Sequence, residues 1–100
     1  MPSLEIHCAE CKEKLGEDFS LVHRYLDMYA PKFGNDAHRQ ILHHREGVEL
    51  LRALFEKRFG NGYGDKAARA AELHIMADFN IDHVPTKSEV IHVLQAYQTV

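Results

Sequence analysis

Apolar residues return every three or four positions along most of the chain, and nowhere do they alternate strictly over a strand-length run. The pattern predicts helices and no sheet. Phe19, Val22, Leu26, Ala30 and Phe33 form the stripe of a first main helix. Asp18 or Ser20 can cap it, and Pro31 should kink or stop it. Gly34-Asn35-Asp36 reads as a turn, with Asp36 the N-cap of a long helix over about residues 37–59. At about 100° per residue its inner stripe is Ala37, Ile41, His44, Val48, Leu51, Phe55 and Phe59. His43 falls on the neighbouring stripe with Gly47, Leu50 and Leu54, and His38 on the other flank near Arg45, Glu49 and Arg52. A third helix, over about 66–79 and capped by Asp65, places Ala67, Ala71, His74 and Asp78 on one apolar face. Thr86-Lys87-Ser88-Glu89 is a capping box opening a last helix that buries Val90, Val93, Leu94 and Tyr97.

Residues 1–6 read as frayed, followed by a short helix that carries Cys8 and Cys11 and ends at Gly16. The expected architecture is a single all-α domain over residues 1–100, a small bundle of about four helices with a short amino-terminal Cys-x-x-Cys segment. The long central helix should pack against the first and third and bring His23, His44 and His74 to a common interior. Gly47 inside that helix costs about 1 kcal/mol against alanine. It reads as a close-approach point for a helix or a ligand, or as a tolerated glycine. Gly60-Asn61-Gly62-Tyr63-Gly64 is a turn and not a phosphate loop, because no strand leads in and no Gly-Lys-Ser/Thr follows.

Charge narrows the partners. The formal charge is −3 and no basic run reaches five residues, so nucleic acid is not an expected partner. No apolar run approaches the roughly 20 residues of a membrane span, and the start lacks a signal-peptide pattern. The expectation is a cytoplasmic protein with no membrane partner. Eight histidines make the charge pH-sensitive, moving it from −3 to about +5 if all are protonated.

The candidate chemistry is metal binding. Imidazole is the commonest metal ligand, and three of the eight histidines lie within residues 38–44. His74 and Asp78 stand on an inward face, where polar groups need partners. Cys8-x-x-Cys11 in a cytosolic chain suggests half of a metal site or a redox pair. Mixed thiolate and imidazole ligation suits zinc. The candidate ligands are Cys8, Cys11, His38, His43, His44 and His74. His7, His23, Asp27 and Asp78 are supporting or alternative ligands, in one site or two. A His23–Asp27 pair and a His74–Asp78 pair are each available at i,i+4. Arg39 and Arg45 can pair with Glu46 and Glu49 on the surface, while His92 should face solvent.

The combination His38-Arg39-x-x-x-His43-His44-x-x-Gly47-Val48, then Glu72-x-His74-Ile75-x-x-Asp78, then Val84-Pro85-Thr86, resembles a family of small prokaryotic and phage-associated helical proteins classed as a domain of unknown function. The resemblance covers about residues 7–95. It implies that these polar positions belong to one site and implies no reaction. It also sets His7 and Cys11 at positions where the family carries histidines, and cysteine in place of histidine keeps a metal ligand.

Two other readings compete. His23, His43, His44 and Asp78 resemble the ligands of metal-dependent phosphohydrolases of the HD type, although the tandem pair here is His-His and the chain is short for that fold. In that case the metal would activate water, with His74 as acid or base. Alternatively, the domain is a non-enzymatic interaction module with hydrogen-bonded core histidines. It would form a homodimer through Leu50, Leu54, Tyr29 and Tyr63.

Overall fold

A computed structural model of the chain describes residues 3–32 and 38–98, with the side chains at 39, 40 and 93–98 outside the description. Its described helices are α1 (Leu4–Leu15), α2 (Ser20–Asp27), α3 (Arg39–Leu42), α4 (Arg45–Phe59), α5 (Tyr63–Phe79) and α6 (Lys87–Gln98). The fold is all-α, with no strand among the described residues. The expected turn at 34–36, its N-cap Asp36, and the inward positions Phe33, Ala37, Val93, Leu94 and Tyr97 lie outside what is described.

The chain is helical from Leu4, not frayed to residue 6, because Ser3 caps α1 by accepting from the Ile6 N–H at 3.4 Å. Gly16 closes α1 in the left-handed conformation at φ 85°. Asp18 Oδ1 then accepts the Ser20 N–H at 3.1 Å, and α2 buries Val22, His23 and Leu26. Both bonds of the Thr86–Glu89 capping box form: Thr86 N–H to Glu89 Oε1 at 3.1 Å, and Glu89 N–H to Thr86 Oγ1 at 3.2 Å.

The expected helix over 37–59 is two helices. His44 is extended at φ −160°, ψ 176° and caps α4, its Nδ1 accepting the Gly47 N–H at 3.1 Å. A side-chain acceptor at the cap position satisfies one of the orphan donors of a helix start, so the chain can break here. Gly47 is required by that break. A Cβ at this position would lie 1.9 Å from the Leu42 carbonyl oxygen. The close approach is thus to the end of α3 and not to a distant helix. Arg45 N–H donates to the Pro85 carbonyl at 2.8 Å, which ties the break to the loop before α6.

The hub of the bundle is α5, not the segment 37–59. It packs along α4 and also contacts α1 and α2. Ala67, Ala68, Ala70 and Ala71 are all at most 1% exposed, and such short side chains let helices approach on several sides. α5 begins at Tyr63, with Gly62 in the left-handed conformation as its cap, earlier than the expected start beyond Asp65. Gly64 sits where a Cβ would meet the Arg52 carbonyl oxygen at 2.5 Å, which sets the close contact of α4 with α5. Phe55, Leu51, Val48 and Ile75 complete the apolar core. Leu50, Leu54 and Tyr29 face solvent. Among the described residues no helix is long and apolar enough to cross a membrane.

Candidate metal centre

Five elements deliver polar side chains to one interior point. His7 comes from α1, and His23 and Asp27 come from α2. His38 precedes α3, and His43 lies in the break that follows it. His74 and Asp78 are one turn apart on α5. His7, His23, His38, His43 and His74 are each at most 1% exposed. An apolar core gains nothing from five imidazoles, so their partners decide the meaning of the cluster.

Four ligand atoms gather at one place: His43 Nε2, His74 Nε2, Asp27 Oδ1 and Asp78 Oδ2. His74 Nε2 lies 3.2 Å from His43 Nε2, 3.2 Å from Asp78 Oδ2 and 3.3 Å from Asp27 Oδ1. His43 Nε2 lies 2.8 Å from Asp78 Oδ2 and 3.4 Å from Asp27 Oδ1. A tetrahedron of ligands at zinc-like bond lengths of about 2.0–2.1 Å has edges of about 3.3–3.4 Å. Hydrogen bonds alone account poorly for the arrangement, since each Nε2 holds at most one proton and so serves at most one neighbour well.

His7, His23 and His74 also bring ligand atoms together, but differently. The His7 ring stacks on His74 with centroids 3.7 Å apart and planes 16° from parallel. Imidazole lone pairs lie in the ring plane, so two stacked rings cannot both aim at one ion. His23 Nδ1 is 2.9 Å from His74 Nδ1, a hydrogen-bond distance. This trio backs the four-atom group and does not form a second set of converging ligands.

The proton positions follow in sequence. His23 Nε2 is 3.0 Å from the Asp18 carbonyl oxygen, which only accepts, so Nε2 carries a proton. Burial, then the neighbouring His74 and His7, push the His23 pKa down to about 4, so the ring is neutral near pH 7. Its Nδ1 is therefore an acceptor, and His74 Nδ1–H donates to it. With a cation among the four atoms, a neutral His74 presents its Nε2 lone pair to it; without one, Nε2 carries a proton facing Asp27 and Asp78. His7 Nε2–H donates to Asp78 Oδ1 at 3.0 Å, and His38 Nε2–H donates to Asp27 Oδ1 at 3.3 Å.

The carboxylates are ionised. Burial alone would raise the Asp78 pKa, but hydrogen bonds from His43, His7 and His74 hold it well below the usual range. Asp27 is likewise held low, by His43 and His74 against its burial. Burial lowers the His74 pKa, and Asp27 and Asp78 outweigh it, so the net direction is upward. The point between these four atoms therefore attracts positive charge, which a proton on His74 or a cation can supply.

The sequence model of one family covers residues 3–100, and its description is Domain of unknown function (DUF6915). The chain belongs to this family. No curated protein and no solved structure matches it.

In this DUF6915 chain the histidine that meets His74 and His23 is His43, from the stripe beside the expected inner one, and not His44; Asp78, Asp27 and His7 join them. The expected His23–Asp27 pair is replaced: His23 bonds Asp18 and His74, while Asp27 turns to His38, His43 and His74. The His74–Asp78 pair forms at 3.2 Å. His38, placed by the wheel on a polar flank, is buried, because the helix that defined the wheel starts only at Arg39. His44 is buried as a helix cap and belongs to neither group of ligand atoms. Cys8 and Cys11 are free thiols on α1, Cys11 buried in the apolar core, and neither belongs to the two groups. Burial, with Glu10 and Cys8 nearby, pushes the Cys11 thiol up to about 11, which disfavours the ligating thiolate. Arg45 pairs with Glu72 at 3.0 Å, not with Glu46 or Glu49. His92 is exposed, as its position suggested.

Proposed function

We propose that this DUF6915 chain binds a divalent transition metal, zinc foremost, through His43 Nε2, His74 Nε2, Asp27 Oδ1 and Asp78 Oδ2. The carrying observation is the close spacing of those four atoms: each imidazole Nε2 lies 2.8–3.4 Å from the other and from both carboxylate oxygens, which matches the ligand–ligand distances around a small divalent ion. Two imidazoles with two carboxylates are borderline and hard donors together, which suits zinc and the divalent ions just before it in the first transition row. His23 supports the reading by fixing the proton of His74 on Nδ1, and His7 and His38 by orienting the two carboxylates. A neutral His43 ligating through Nε2 carries its proton on Nδ1, which has no protein partner. His43 is accordingly the weaker imidazole ligand. A bound metal of this kind supplies Lewis-acid chemistry and activation of water.

The test is metal analysis of protein purified without tag or chelator, followed by zinc titration. One equivalent of metal is expected in the wild type, retained in Cys8→Ser and lost in His74→Ala. Absence of metal in folded wild-type protein, or loss in Cys8→Ser alone, would overturn the assignment.

A further inference from the structure

The two carboxylates at the centre are held unequally. The Asp78 side chain is 1% exposed and gripped at both oxygens, Oδ1 by His7 at 3.0 Å and Oδ2 by His43 at 2.8 Å and His74 at 3.2 Å. The Asp27 side chain is 34% exposed, and its contacts with His38, His74 and His43 run through Oδ1 alone at 3.3, 3.3 and 3.4 Å. Asp27 is also the last residue of α2. The three imidazoles around it are sealed from solvent. Among the described residues of the centre, Asp27 is the side chain that solvent touches.

From this asymmetry, and resting on the metal reading above, we infer that Asp27 is an exchangeable ligand and that its position receives a small monodentate anion from solution. His43, His74 and Asp78 form the permanent set: two imidazoles and one carboxylate on one side of the ion. A closed set of four protein ligands marks a structural site, whereas three with an exchangeable fourth mark a site that binds water or substrate. In the exchange the bond from Asp27 Oδ1 to the metal breaks, and a bond from the incoming anion forms. No electrons are transferred, and the released carboxylate stays ionised in solvent. Since a carboxylate occupies this position in the chain itself, carboxylates and similar small oxyanions are the ligand class it fits.

The experiment uses cobalt(II) as a visible probe in place of zinc, with azide and acetate as the anions. Wild-type protein loaded with one equivalent of cobalt should show saturable changes in its visible absorption on addition of azide. Asp27→Ala should keep one equivalent of cobalt and bind azide and acetate at least about tenfold more tightly, because no internal carboxylate competes. Asp78→Ala should fail to hold cobalt. Stoichiometric cobalt whose spectrum azide and acetate leave unchanged, in both wild type and Asp27→Ala, would overturn the exchangeable position while leaving the metal reading intact. Loss of cobalt in Asp27→Ala would make Asp27 a permanent ligand and overturn the inference. Failure of wild-type protein to take up cobalt or zinc would overturn both readings.

Discussion

His23 and His74 meet nitrogen to nitrogen, Nδ1 to Nδ1 at 2.9 Å, and the far nitrogen of His23 bonds the Asp18 carbonyl. A backbone carbonyl that can only accept thereby decides, two rings away, which nitrogen of His74 is bare. His23→Phe keeps a planar ring at the site, slightly larger than imidazole, but leaves His74 free to place its proton on Nε2. Loss of such an orienting partner typically weakens metal binding 10–100-fold. The same drop is expected here, read by competition against a chromophoric chelator, with helicity by circular dichroism unchanged. An affinity within threefold of wild type would show that the His74 proton is fixed by something else.

The same pair sets a pH dependence in the metal-free protein. The His23 pKa falls from 6.5 in the unfolded chain to about 4 in the folded one, through burial first and the neighbouring histidines second. Between those values the unfolded chain takes up a proton that the folded chain refuses, so stability declines as pH falls from 6.5 towards 4, by about 3 kcal/mol in all. His74 works in the opposite sense. Its raised folded pKa gives a contribution complete below pH 6.5 that fades as pH rises through the folded value. Asp27 and Asp78, held low, contribute above their ordinary value of 3.8 and lose that contribution only as pH falls below it. Urea denaturation at pH 7 and pH 5 should show a smaller loss of stability for His23→Phe than for wild type. Equal losses would place the acid sensitivity elsewhere.

Asp78 accepts from His7 on one oxygen and lies against His43 and His74 on the other, with its side chain 1% exposed. Asparagine has the same shape but a single acceptor, and its NH2 group would face a donor. Removing one partner from a buried charged network costs about 3–5 kcal/mol. A domain of this size shifts by roughly 4–8 °C per kcal/mol. Asp78→Asn should therefore melt more than about 10 °C below wild type without metal, by calorimetry. A shift under 2 °C would mean that the histidines re-pair without the carboxylate.

The all-helical class, the inward placement of His74 with Asp78, and the capping box at Thr86 were legible because each depends on spacing within one helix. His43 was not legible in this way, since its supposed stripe-mates Leu50 and Leu54 face solvent and the helix breaks beside it. The centre itself was not, because its contacts join residues up to 71 positions apart, as His7 and Asp78 are. A helical wheel carries no information about which helices meet. The i,i+4 rule offered Asp27 to His23, and tertiary packing gave it to His38, His43 and His74 instead. The adjacent histidines misled in an instructive way. On an unbroken helix His43 and His44 point about 100° apart, so only one can face a given site. With the helix broken, His43 turns to Asp78 and His44 spends its Nδ1 on capping α4.

That break rests on Gly47 and leads to the last prediction. The Leu42 carbonyl oxygen would lie 1.9 Å from an added Cβ, and its carbonyl carbon 2.6 Å, both of them backbone atoms with no side-chain freedom to yield. Gly47→Ala must therefore move the end of α3 or the start of α4. In an open helix the same change would stabilise by about 1 kcal/mol through propensity; here overpacking reverses the sign and costs about 1–3 kcal/mol. The residue displaced with Leu42 is its neighbour His43, whose Nε2 reaches Asp78 Oδ2 at 2.8 Å. Gly47→Ala should thus lower both the melting temperature and zinc affinity, whereas Ala53→Gly, on the exposed face of α4, should lower the melting temperature alone. A Gly47→Ala protein that melts higher than wild type, with zinc affinity intact, would show that α3 and α4 accommodate the methyl group by joining into one helix, and that His43 reaches the centre without the break.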